Sequence, residues 1–85
     1  MELSQGNPGA INVILQVAEN NKILEILDKN KIYGSKIWFL YKYICGNSID
    51  KMTSLLIQLN ENNSNLEIDY KENKINLLKC INENS

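Results

Sequence analysis

Two glycine-marked helix starts constrain the fold of this chain more than any other feature of its sequence. The first is the segment Gly-Asn-Pro-Gly-Ala at positions 6–10, and the second is Gly-Ser-Lys-Ile-Trp at positions 34–38. Each segment offers a capping side chain, and the first also places a proline where a missing N–H costs nothing. The pattern therefore predicts one helix capped by Asn7 and another capped by Ser35.

The spacing of apolar residues predicts the rest of the helices. Apolar positions recur at helical intervals over residues 8–20, 22–29, 35–45 and 48–59. Asn30 is expected to end the second helix in a left-handed conformation, and Gly46 is expected to end the third. Asn47 or Ser48 is expected to start the fourth helix. We therefore predict a single all-α domain over residues 1–85, with a polar leader at 1–6 and a compact bundle of four to five short helices.

The last twenty residues carry two conflicting signals. Ser64 and Glu67 have the spacing of a capping box, which favours a helix that begins near residue 64. The alternation of apolar and polar residues from Leu66 to Tyr70 is instead typical of a short strand. We expect a helix here, and the strand remains the alternative.

Composition excludes several classes of function. The chain has nine lysines, no arginine and no histidine, and its formal net charge is −1. Without histidine there is no imidazole base and no histidine-bound metal, and a dedicated DNA-binding domain would carry a basic face. No nucleophile has an activating neighbour. We therefore expect no enzymatic activity, no catalytic residue, no metal, no cofactor and no DNA partner.

Cysteine use and hydropathy indicate where the protein acts. Cys45 and Cys80 each lie in an apolar helical context, which is typical of small buried side chains in a reduced protein. The N-terminus lacks the pattern of a signal peptide, and no apolar run reaches the length of about 18 residues that a membrane span needs. The sequence predicts a cytoplasmic protein without a membrane partner.

The first helix start is a candidate anion site. An anion there would accept hydrogen bonds from the backbone N–H groups of Gly9, Ala10 and Ile11, next to the positive end of the helix dipole. Asn7 would cap the helix, and Gly9 would let a ligand oxygen approach without meeting a Cβ. The alternative is an ordinary, well-capped helix start.

The second helix start adds lysines and aromatic rings. Ser35 and Lys36 lie at the helix mouth, and Trp38, Tyr41 and Lys42 have the spacing that puts them on one helix face. Such a face can stack a planar ring and hold a phosphate. The alternatives are that this face belongs to the core or to a subunit interface. The remaining residues of this helix, Phe39, Leu40, Tyr43 and Ile44, are expected to fill the core.

Three motifs together resemble a small family of helical proteins encoded by bacteriophages and prophages. They are GNPGA at positions 6–10, GSxIWxxYK at 34–42 and CGxxIDK at 45–51. Members of that family tend to carry arginine just before the Gly-Ser pair, whereas this chain has Tyr33, which removes a possible anion-binding charge. The resemblance ends near Lys51 and implies a phage context without a mechanism.

These observations lead to two functional hypotheses. The first is a counter-defence sponge, a small homo-oligomer that sequesters a cyclic or linear phosphorylated nucleotide at its helix N-termini. The second is an inhibitor or adaptor that binds a host or phage protein, with Trp38 and the tyrosines as anchors. A structural phage component that merely dimerises is a third possibility. The excess of apolar residues on so short a chain favours a homo-oligomer, joined through the first helix or the Trp38 helix.

Overall fold

Five α-helices, one π-helical turn and one β-hairpin follow one another along residues 3–84, the part of the chain that the computed structural model describes. The helices are α1 (Pro8–Val17), α2 (Asn21–Lys29), α3 (Ser35–Phe39), α4 (Ile49–Glu61) and α5 (Leu77–Asn84). The π-helical turn (Leu40–Ile44) continues α3, and the strands β1 (Glu67–Tyr70) and β2 (Asn73–Asn76) lie between α4 and α5.

The β-hairpin makes the prediction of an all-α fold wrong. β1 and β2 pair antiparallel, with Glu67 opposite Asn76 and Tyr70 opposite Asn73. In β1 the side chains alternate between exposed and half-buried, as the sequence alternation of the strand alternative requires. Every second residue of β1 therefore faces the core, a pattern that helical spacing would not produce with the same residues.

Ser64 does not cap a helix, so the predicted capping box is also wrong. Its backbone has a positive φ of 66°, and its N–H donates to the carbonyl of Leu59 at 2.8 Å. This bond spans the end of α4, so Ser64 closes the preceding helix instead of opening the next one. The chain then leaves α4 in the extended direction of β1.

The helix starts agree in part with the sequence. Asn7 caps α1, because its Oδ1 accepts a hydrogen bond from the N–H of Ala10 at 2.9 Å. Gly34, and not Ser35, is the N-cap of α3, and no side chain caps that helix. The predicted left-handed residue after α2 is Lys31 (φ 58°) in place of Asn30, whereas Gly46 has the expected positive φ of 57°.

The core lies between the helices and is closed on one side by the hairpin. α3 packs against both α1 and α5, and α2 packs against α4. Cys45 and Cys80 are both buried and unpaired, which confirms their predicted place in the core. The other fully buried large side chains come from α2, from α3 with its π-helical turn, from α4 and α5, and from the connection after α2: Ile23, Leu27, Ile32, Ile37, Leu40, Met52, Leu56, Leu59, Leu77 and Ile81.

None of the helices within residues 3–84 combines the length and the apolar character that crossing a bilayer requires.

Candidate functional site

The two glycine motifs of the sequence meet in the structure, at the contact between α1 and α3. A Cβ placed on Gly9 would lie 2.8 Å from Cδ2 and Cε3 of Trp38, so the indole rests directly on the backbone of α1. Gly34 is held in the same region, because its N–H donates to the carbonyl of Leu3 at 2.6 Å. Gly9 and Gly34 therefore serve close packing of the leader, α1 and α3.

The N-terminus of α1 uses most of its donors within the chain. Of the N–H groups predicted to bind an anion, that of Ala10 donates to the Asn7 side chain, and that of Ile11 donates to the Asn7 carbonyl at 2.9 Å. Ala10 itself is fully buried. Of the three predicted donors, these bonds leave the N–H of Gly9, a residue that lies under the Trp38 ring.

The backbone N–H groups at the start of α3 are also used within the chain. The N–H of Lys36 donates to the carbonyl of Tyr33, and the N–H of Ile37 donates to the carbonyl of Gly34, both at 3.1 Å. Ser35 is exposed as the first residue of the helix and does not cap it. The Lys36 side chain is half-buried, and it is Lys42, not Lys36, whose ammonium group lies beside the Trp38 ring.

The side chains of Trp38, Tyr41 and Lys42 are brought together, as their spacing predicts. The rings of Trp38 and Tyr41 lie with centroids 5.7 Å apart at a tilt of 40°. The Nζ of Lys42 lies 5.3 Å from the centroid of the Trp38 ring, within the range of a cation–π contact. The same Nζ is 6.0 Å from the ring of Tyr43. Lys42 therefore joins two aromatic side chains.

Tyr43 is 60% exposed, so its expected place in the core is wrong. The reason is the π-helical turn, which has more residues per turn than an α-helix and changes the direction of the side chains after it. Leu40 is fully buried at the start of this turn. Tyr43 is exposed to solvent, and its ring also contacts the ring of Phe39, with centroids 5.5 Å apart.

The hairpin extends this cluster. Phe39 also meets the ring of Tyr70 edge-on at 6.0 Å, and the Nζ of Lys71 lies 5.3 Å from the centroid of Tyr70. Ring and cation contacts thus run without a break from α3 to the hairpin turn. We call the exposed and half-exposed members of this chain of contacts the aromatic–lysine surface: Trp38, Tyr41, Lys42, Tyr43, Tyr70 and Lys71.

Sequence reasoning misses three members of this surface. It places Tyr43 in the core, and it places Tyr70 and Lys71 in a segment expected to be helical. The alternation from Leu66 to Tyr70 is the signal that could have found them, because a strand there places Tyr70 on the same side as Ile68, against the core. The π-helical turn has no signal of comparable strength in the sequence.

A separate cavity of about 290 Å³ lies between the π-helical turn, α4 and β1. Cys45 is in its lining, and burial raises the pKa of this thiol to about 11, although the nearby Lys51 acts in the opposite direction. The thiol therefore stays protonated near neutral pH and is a poor nucleophile. Across residues 3–84, no cluster of three or more histidine, cysteine, aspartate or glutamate side chains is arranged to hold a metal ion.

Comparison of the chain with protein-family models, with curated proteins and with solved structures found no match. Functional inference on this protein therefore depends on the chemistry of its own residues.

Proposed function

We propose that this protein is a non-enzymatic binding protein whose aromatic–lysine surface contacts a partner protein. The observation that carries the proposal is the position of Lys42, whose ammonium group lies beside the rings of both Trp38 and Tyr43. Tryptophan and tyrosine are among the side chains most often found at the energetic centre of protein interfaces. The two lysines of the surface, Lys42 and Lys71, favour a partner that presents carboxylates next to apolar side chains.

The state of the helix N-termini supports this choice over the nucleotide sponge. The sponge hypothesis relies on backbone N–H groups as phosphate donors, and those of Ala10, Ile11 and Ile37 already donate within the chain. The rings and ammonium groups of the aromatic–lysine surface, in contrast, lie on the outside of α3, the π-helical turn and the hairpin. With no arginine in the chain, a polyanion would also lack a bidentate donor.

The phage-type motifs suggest the setting. They favour a protein that acts in the cytoplasm of an infected or lysogenic bacterium, and the partner is then a host or phage protein. In this setting, a small inhibitor or adaptor works by covering a functional surface of its target.

A photo-crosslinking experiment in the bacterial host tests the proposal. p-Benzoylphenylalanine replaces Tyr43, at the most exposed ring of the surface, or Glu25, an exposed position on α2 that serves as the matched control. We expect one adduct with a specific protein from position 43, none from position 25, and loss of the adduct when Lys42→Glu is added. Identical adducts from both positions, or none from position 43, would refute the proposal.

A second candidate is the sequestration of a phosphorylated nucleotide at the same surface. It is favoured by one observation, the exposed ring of Tyr43 next to the Lys42 ammonium group, which together offer a stacking face and a phosphate contact. This activity needs no protein partner, which separates the two candidates.

A thermal-shift screen of the purified protein against linear and cyclic nucleotides and ADP-ribose derivatives tests the second candidate. A ligand at 100 times its dissociation constant adds about 2.7 kcal/mol to the free energy of unfolding, which is a visible rise in melting temperature. The second candidate requires a selective rise that disappears in the Lys42→Ala and Tyr43→Ala variants. A flat screen removes this candidate and leaves the protein partner.

A further inference from the structure

The outer side of α1 is apolar although it faces solvent. Ile11 and Leu15 are one helical turn apart, and they are 43% and 69% exposed. The opposite side of the helix already fills the core with Ala10, Val13, Ile14 and Val17. Core packing therefore explains only part of the apolar residues of this helix. No element within residues 3–84 covers the exposed part.

This outer side combines a projection with a recess. Leu15, the more exposed of the two residues, projects from the helix. Next to it lies an apolar hollow of about 240 Å³, lined by Ser4, Ile11, Ile14 and Leu15 itself. A surface that carries both a projecting side chain and a hollow can pack against an identical surface, because each copy then fills the recess of the other.

The charge distribution also fits a second copy. No residue from position 8 to position 18 is charged. Two identical surfaces related by a two-fold axis bring like groups near each other, and charged groups would repel there. The exposed polar residues of α1 include Asn12 and Gln16, whose neutral amides can both donate and accept hydrogen bonds. The surface is thus compatible with its own copy.

We propose that α1 is the contact surface of a homodimer, in which Leu15 of each copy packs into the hollow of the other about a two-fold axis. This inference rests on α1 alone and is independent of the aromatic–lysine surface. A result that refutes the dimer therefore does not refute the proposed function. A failure to find a partner protein likewise does not refute the dimer.

Sedimentation equilibrium of the full chain from micromolar to millimolar concentration tests the dimer. We expect the mass to rise with concentration to twice the 9.7 kDa of one chain. Leu15→Lys should raise the dissociation constant at least about 30-fold, because a charged group would have to enter the apolar contact. Since Leu15 is 69% exposed, this variant should keep the helical circular dichroism of the wild type.

Gln58→Lys is the matched control, since it also replaces an exposed neutral side chain by lysine but lies on α4, outside both α1 and the aromatic–lysine surface. It should dimerise as the wild type does. The proposal is overturned if the wild type keeps the mass of one chain at every concentration. It is equally overturned if a folded Leu15→Lys variant associates as the wild type does, or if Gln58→Lys weakens association as much as Leu15→Lys.

Discussion

The indole ring of Trp38 packs directly against the backbone of Gly9 in α1, and this contact joins the two glycine motifs. A Cβ at Gly9 would come within 2.8 Å of two ring atoms. Tyr41 and Lys42 contact the same ring from the π-helical turn. The Gly9–Trp38 contact orients α1 relative to α3, and so it also sets where the aromatic–lysine surface stands on the molecule.

Replacing Gly9 by alanine should destabilise the protein. The added methyl group has to displace a large aromatic ring from its packed position, and overpacking of this kind costs about 1–3 kcal/mol. Urea unfolding followed by circular dichroism measures the loss. Asn12→Ala, at an exposed position of the same helix, is the control and should change stability little. Equal stability of Gly9→Ala and the wild type would show that the indole does not need this contact.

The hairpin turn should become more stable when Glu72 is replaced by glycine. Lys71 and Glu72 connect Tyr70 to its pairing partner Asn73, and both have positive φ, 52° and 69°. A two-residue turn with this backbone favours glycine at its second position. Relief of the strained residue should add about 0.5–1 kcal/mol. Thermal unfolding measures the change.

Glu67→Gly is the control for the hairpin turn. Glu67 is exposed in β1, where glycine removes a strand-forming side chain without relieving any strain. This variant should be less stable than the wild type. If both glycine variants are destabilised alike, the turn does not have the left-handed backbone described for it.

A side-chain hydrogen bond should couple the ends of α2 and α4. The Ser64 hydroxyl donates to Oδ1 of Asn30 at 2.6 Å, across a separation of 34 residues, and the Asn30 amide donates to the carbonyl of Ile26 at 2.8 Å. A double-mutant cycle with Asn30→Ala and Ser64→Ala should give a coupling free energy of about 0.5–1.5 kcal/mol. Chemical unfolding of the four proteins measures it.

Ser54 provides the control for that cycle. It lies on the exposed side of α4, where its hydroxyl accepts a hydrogen bond from Gln58. The pair Asn30→Ala and Ser54→Ala should therefore be additive. A coupling between Asn30 and Ser64 no larger than that of the control pair would mean that the hydrogen bond contributes nothing to stability.

Ionisation of Cys45 should lower stability at high pH. Burial raises the pKa of the thiol to about 11 from the ordinary value of 9.0 in an unfolded chain, so the folded state binds the proton more tightly. The contribution is complete below pH 9 and is lost as the pH rises through 11. The wild type should therefore lose about 2 kcal/mol more than Cys45→Ala between those two values.

The Cys45→Ala comparison is needed because lysines and tyrosines titrate in the same range in both proteins. Urea unfolding at a series of pH values from neutral to about 11 measures the difference between the two. Parallel pH dependence of wild type and variant would contradict the raised pKa. A slow reaction of the native protein with a thiol reagent at neutral pH is the accompanying expectation.

The helices whose caps and apolar spacing are both strong could be predicted from the sequence. Asn7 caps α1 and Ser48 caps α4, because a short polar side chain beside unpaired N–H groups is a local interaction that needs no other part of the chain. The end of α1 is predicted less well, since the helix ends at Val17 instead of residue 20. Helix ends depend more on how the next segment of the chain packs.

The candidate site could be predicted only within one helix. Trp38, Tyr41 and Lys42 come together as expected, since their contact depends on helical spacing alone. Tyr43 does not, because one π-helical turn redirects it, and Tyr70 and Lys71 join the surface through Phe39 from a distant part of the chain. No rule of local spacing connects residue 39 with residue 70.

By itself, the sequence determined the capped starts of α1 and α4, the burial of the cysteines and the local grouping around Trp38, all of which depend on residues a few positions apart. Tertiary structure decided that residues 67–76 form a hairpin and that Gly9 lies under Trp38. The physical reason is the range of the interactions. Capping and helical spacing act within one or two turns, whereas strand pairing and ring packing are decided by which distant surfaces must be buried together.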